Sequence, residues 1–127
     1  MKDMGIYWTI FSGGEPFLYP QLVDLMKKHH NMAFMAFTNG TLLDADYADA
    51  LEETGKFSPV FSLTRGRRAT DGRGGEGVFE QVIQAMDRCR ERGIPFGVSL
   101  TATRENIDEI VSDEFMELLD EKGCLYI

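Results

Sequence analysis

Five short runs of apolar, β-branched and aromatic residues recur at intervals of about thirty residues, and that spacing limits the folds open to the chain more than any other feature. They are Ile6–Phe11, Ala33–Phe37, Phe57–Leu63, Pro95–Thr101 and Cys124–Ile127. The first reads Ile-Tyr-Trp-Thr-Ile-Phe, a composition suited to a strand buried on both faces. Each gap holds one helical segment. Leu22, Val23, Leu25 and Met26 recur at helical spacing, with Lys27, Lys28 and His29 near the C-terminal end where cations suit the helix dipole. Asp44 can cap a second helix that carries Tyr47, Ala48 and Leu51 and stops at Gly55. Phe79, Val82, Ile83 and Met86 form the clearest apolar stripe, and Gly93 ends it. Thr103–Val111 and Asp113–Glu121 read as one broken helix or two short ones. The pattern is a βα repeat of about five parallel strands with crossover helices. At 127 residues it is one domain, too short for a full barrel of about 250 residues, so a partial (β/α) barrel is expected.

Right-handed crossovers place all strand C-termini on one edge, where ligands of α/β folds bind. Four polar turns should meet there: Ser12-Gly13-Gly14-Glu15-Pro16, Thr38-Asn39-Gly40, Ser62 and Thr101. The glycine pair lets backbone N–H and C=O groups approach a ligand with no Cβ between, and Pro16 fixes the exit direction. Glu15 has two readings, a ligand for a cationic group or a cap for the following helix.

Net charge is −8, with 21 acidic against 13 basic side chains, a balance that repels phosphate backbones and anionic lipid. Nucleic-acid and membrane partners are therefore not expected. No apolar run nears the ~18 residues of a membrane span, and the N-terminus lacks a signal-peptide layout, so a cytoplasmic location is the expectation. Arg65, Arg67, Arg68 and Arg73 cluster in a glycine-rich connection, Thr64–Gly77, that is either a solvated loop or a surface for an anionic ligand. The two cysteines, Cys89 and Cys124, lie far apart and form neither a disulfide framework nor a metal-ligand spacing. Cys89 falls near the apolar stripe of its helix and reads as a small buried hydrophobe.

In that order, Ser12–Pro16, Thr38-Asn39-Gly40, the Ser62-Leu63 strand end and Gly77-Val78-Phe79 at a helix start resemble a radical S-adenosylmethionine (radical SAM) domain over nearly the whole chain. The resemblance implies a fragment of a (β/α)6 partial barrel, and a glycine motif that holds the methionyl amino group of SAM. It assigns cofactor-binding roles to Gly13, Gly14, Glu15 and Pro16. Thr38, Asn39, Ser62 and Arg73 would contact ribose and carboxylate, and Val98, on the strand Phe96–Leu100, would pack on adenine.

In that family a Cys-x3-Cys-x2-Cys loop, after a strand that precedes the equivalent of Ile6, holds a [4Fe-4S] cluster. Only five residues stand before Ile6, and two distant cysteines do not replace the triad. Residues 1–127 are thus expected to be a single truncated radical SAM core that binds SAM, lacks the cluster ligands and is inactive alone. The parent reaction would be reductive cleavage of SAM to a 5′-deoxyadenosyl radical. Thr64-Arg65-Gly66-Arg67-Arg68 departs from the acidic residue and glycine that often follow the family's Ser-Leu strand end. With Ile6–Phe11 left at a sheet edge, self-association by edge pairing is expected. Two other readings stay open at this point: a non-catalytic binding or assembly module, and a flavodoxin-like domain with Ser12-Gly13-Gly14 as its phosphate loop, which Glu15 would oppose.

Overall fold

The computed structural model describes residues 4–63 and 77–127. Four strands are present among them: β1 (Trp8–Phe11), β2 (Ala33–Thr38), β3 (Phe57–Leu63) and β4 (Gly97–Leu100). They form one sheet in the order β1-β2-β3-β4, and every pair is parallel. A sequential order of parallel strands is that of a barrel wall. A flavodoxin-like sheet instead changes direction after its first strand, so that alternative is excluded.

The connections hold a 3-10 turn at Pro16–Leu18 and five helices: α1 (Leu22–Lys28), α2 (Ala45–Glu52), α3 (Val78–Glu91), α4 (Ile107–Ile110) and α5 (Asp113–Lys122). None of the described helices is long and apolar enough to cross a membrane. Asp44 caps α2, its carboxylate accepting the Tyr47 N–H at 2.8 Å, as the sequence implies. Ser112 caps α5 in the same way, through the N–H of Phe115.

Side chains alternate across each strand, so the register divides the sheet into two faces. Phe34, Ala36, Phe57, Phe61, Leu63 and Val98 lie on the face that packs on the helices. There they meet Met26, Leu51, Met86 and Phe96, all 1% exposed or less, and the Phe61 and Phe96 rings touch edge to face at 5.6 Å. The other face carries Trp8, Ile10, Met35, Phe37 and Val60 with Ser58, Ser62 and Ser99. It is the inner wall of the partial barrel, and Trp8 and Ile10 are exposed on it.

Three elements differ from the sequence expectation. The first strand is not buried on both faces: it begins only at Trp8, and Trp8 and Ile10 stand exposed because β1 is the outermost strand of the sheet and no described element covers its inner face. The helix anticipated over Thr103–Val111 is only the turn Ile107–Ile110. Asn106, 1% exposed, donates to the Thr101 carbonyl at 2.9 Å and accepts the Thr103 N–H at 2.6 Å. Its amide therefore organises the loop in competition with a helix. Cys124–Ile127 lies beside β4 in the place of a fifth strand but forms no regular ladder. The Leu125 N–H donates to Phe96 and the Val98 N–H to the carbonyl of Tyr126, so two residues oppose Gly97 as in a bulge. The Tyr126 ring fills the space over Gly97, where an added Cβ would lie 2.2 Å from it. Its hydroxyl reaches Ser58 on β3 at 2.6 Å.

Candidate functional site: a carboxylate-stapled glycine turn on the strand rim

β1 ends at Phe11, and Gly13, at φ +134°, turns the chain in a conformation that L side chains rarely adopt. Pro16 then opens the 3-10 turn, and Glu15 caps it by accepting the Phe17 N–H at 3.2 Å. Phe17 anchors the turn: it is 5% exposed and its ring meets those of Tyr47 at 4.8 Å and Phe57 at 6.0 Å.

The capping reading of Glu15 has its counterpart in the geometry, and the carboxylate does more than cap. Oε1 also accepts the Thr38 hydroxyl at 2.8 Å, and Oε2 accepts the Asn39 N–H at 2.9 Å. The end of β1 is thereby fastened to the end of β2. Thr38, 2% exposed, accepts the Gly40 N–H at 3.0 Å while it donates to Glu15. Asn39 Oδ1 takes the backbone N–H of Thr41 at 3.0 Å and its hydroxyl at 2.7 Å, an Asx turn that fixes the second loop. Gly40 sits at φ +74°, and a Cβ there would come within 3.0 Å of the Phe61 ring. Tyr47 lies behind the staple. Burial, then the negative charge of Glu15, push its hydroxyl above the usual tyrosine range.

Glu15, Thr38 and Asn39 are therefore brought together by direct hydrogen bonds, with Gly13, Gly14 and Pro16 on the same turn. Gly13 and Gly14 are exposed, and their N–H groups donate to no acceptor among the described residues. Close-range backbone donors and carbonyls beside a carboxylate suit a zwitterionic amino-acid group, which needs both kinds of partner. Ser62, exposed at the end of β3, pairs in register with Ser99 of β4. Val98 faces the other way: it is 1% exposed, within the helix-packed core, and Ser99 is its neighbour on the open face. Arg73, with Arg65, Arg67 and Arg68, lies outside the described residues.

A groove of about 480 Å3 runs along the outer edge of β1, which pairs with no described strand, beside the turn, between Ile10 and Phe11 on one side and Tyr19, Leu22 and Leu25 on the other. Sequence reasoning did not find Tyr47, Thr41 or the Ser58–Tyr126 pair. Thr41 was within reach, since Asn followed two residues later by Thr is an Asx-turn pattern. The other two join residues far apart along the chain.

The described residues do not fit an iron–sulfur cluster. They hold no group of three His, Cys, Asp or Glu side chains placed to bind a metal. Cys89 is fully buried in the core, and burial pushes its thiol up to about 12, far from the thiolate that a cluster needs. Cys124 is half-buried, its thiol directed at the carbonyl of Tyr126.

A parallel partial barrel with a glycine–glutamate turn fastened to the next strand end defines a class of α/β proteins that hold a ligand on the strand rim. Residues 1–119 match the Radical SAM superfamily, and the chain belongs to that family. It is 33% identical to Fe-coproporphyrin III synthase of Methanosarcina barkeri, across 99% of this chain and 33% of that protein. Pre-heme d1 synthase of Dinoroseobacter shibae is 34% identical, across 97% of this chain and 31% of that one. The chain thus spans about a third of the length of these relatives. Streptococcus suis SuiB, solved with its precursor peptide SuiA, shares the fold with a TM-score of 0.79 at 20% identity, over 97% of this chain and 28% of SuiB. SuiB has also been solved with S-adenosylmethionine bound.

Proposed function

We propose that Ser12–Pro16 and Thr38–Asn39 form the methionyl half of a SAM site. The observation that carries this reading is the Glu15 staple, which sets the free backbone groups of Gly13 and Gly14 at the rim of the sheet. Gly13 and Gly14 bind the amino and carboxylate groups of SAM through their backbone. Glu15 supplies negative charge near the ammonium while holding the two loops in register, and Pro16 sets the exit of the turn. Asn39 and Ser62 stand on the ribose side, and Arg73 is kept as a carboxylate contact from the sequence alone. Ser99, rather than Val98, is the β4 residue available to the adenosine.

SAM bound to a [4Fe-4S] cluster supplies radical chemistry in this family, and residues 1–127 lack the thiolates for that cluster. We therefore assign this chain the cofactor-orienting part of the enzyme and no turnover by itself. The relatives' names bring two substrate classes to the parent enzyme, tetrapyrroles and peptides. The outer edge of β1, which pairs with no described strand, and the groove beside it are the surface for self-association.

Gly14→Ala tests the cradle. Gly14 has an ordinary φ and open space where a Cβ would stand, so the fold tolerates alanine while the ligand loses room. Saturation-transfer NMR should show magnetisation passing to the methionyl protons of SAM in the parent and a loss of at least tenfold in affinity in the variant, with thermal stability little changed. Equal transfer in both would sink the assignment.

A further inference from the structure

We infer that Tyr47 is a positioning residue of the glycine turn and acts through Glu15: its hydroxyl takes over a hydrogen bond to the Glu15 carboxylate when a cationic ligand group draws that carboxylate toward the rim. The inference rests on the SAM site proposed above and adds to it a residue behind the cradle.

Among the described residues, the Tyr47 hydroxyl is the one buried side-chain polar atom with no hydrogen-bond partner. A buried hydroxyl left unpaired destabilises a fold, and nearly all such groups in native proteins are satisfied. The buried side chains of Thr38 and Asn106 follow that rule, the first on Glu15 and the second on the Thr101 carbonyl.

The tyrosine ring is not free to move to a partner. Tyr47 stands in the first turn of α2 with its N–H held by Asp44 at 2.8 Å, and its ring packs on that of Phe17 at 4.8 Å. Phe17 is in turn buried against Phe57. The Glu15 carboxylate, on a flexible stem, is the group that shifts. Its three bonds are unequal: Thr38 at 2.8 Å and Asn39 at 2.9 Å, against 3.2 Å for the Phe17 N–H, the long end of the range for such bonds. An ammonium that meets Glu15 from the rim pulls the carboxylate outward, and the Phe17 bond is the first to yield. Oε1 then has an acceptor site open, and Tyr47, in ring contact with Phe17, carries the donor that fills it.

The surroundings agree with that role. Burial, then the negative charge of Glu15, push the phenol above the usual tyrosine range, so its proton is in place for donation at neutral pH. Asp44, the carboxylate on the same helix end, is engaged with the Tyr47 backbone. Phe17 and Phe57 offer no competing polar group. The hydroxyl therefore destabilises the free protein and stabilises the bound one.

Tyr47→Phe keeps the ring and removes the oxygen. Followed by the Gly13 and Gly14 amide shifts, its affinity for SAM should fall about fivefold or more, while its thermal midpoint stays level or rises. Tyr7→Phe, at an exposed ring, should change neither. In the parent protein labelled with 13Cζ-tyrosine, the Tyr47 resonance, assigned by its absence from the variant, should shift with SAM along the same saturation curve as the Gly14 amide. Equal affinity in Tyr47→Phe and parent, or a Tyr47 resonance that SAM leaves unmoved, would overturn the inference. So would a variant that loses thermal stability in step with affinity, the mark of a packing role. Saturable SAM binding by the parent alongside any of these results faults Tyr47 alone, whereas a parent that binds no SAM overturns the proposed site together with the inference.

Discussion

Glu15 shows how one side chain can fix two loops at once. Its carboxylate collects three donors, from Phe17, Thr38 and Asn39, and two of them belong to another strand end. A carboxylate accepting several hydrogen bonds is held in one orientation, so the glycine backbone beside it is held as well. The turn itself was legible, because glycine, proline and an acidic residue at the end of an apolar run are local signals. The Thr38 partnership was not, since 23 residues separate it from Glu15 and neither residue carries a mark of the other. Cys89 illustrates the opposite case, in which helical spacing alone placed the residue correctly in the core. Its thiol pKa of about 12, against 9.0 for a free thiol, has a defined consequence. Between those values the unfolded chain releases the proton and the folded chain keeps it, so stability falls as pH rises through 9 toward 12, at a limiting slope of about 1.4 kcal/mol per pH unit. Urea denaturation across that interval should show the decline, and Cys89→Ala should flatten it. Iodoacetamide at pH 8 should modify Cys124 first; prompt labelling of Cys89 in the folded protein would contradict its burial.

At the level of elements, the sheet order follows from the repeat, since consecutive parallel strands joined by one helix each have few other ways to pack. Orientation within a strand was also accessible. In Phe96-Gly97-Val98-Ser99-Leu100 the bulky side chains alternate with small ones, and the bulky set faces the helices. Attention to that alternation would have put Ser99, rather than Val98, on the open face. Two features had no sequence signal: the Asn106 amide that shortens α4, and the bulge that sets Tyr126 over Gly97. β1 remains the element with most at stake. Trp8 and Ile10 are exposed, one edge of the strand has no partner among the described residues, and an apolar groove runs beside it. Such an edge pairs readily with another strand. Light scattering should find concentration-dependent dimers or larger species, and a lysine at Thr9, which is part-buried toward the helices, would be a poorer disruptor than one at Ile10. A strict monomer at high concentration would count against edge pairing.

For the whole molecule, the family, the parallel sheet and the missing cluster ligands point to a division of labour. In the reading proposed above these residues orient the methionyl end of SAM, while three cluster thiolates are not among them. Anaerobic treatment of the chain with iron, sulfide and a strong reductant should give no 5′-deoxyadenosine from SAM. Formation of that product would show that two cysteines suffice in a way the fold does not provide. The central claim concerns the glycine turn, and residue-resolved amide NMR tests it most directly. On titration with SAM, the amides of Gly13, Gly14 and Asn39 should shift together along one saturable curve, and methionine alone should reproduce the shifts at Gly13 and Gly14. Saturable binding that leaves those three amides unmoved would contradict the account.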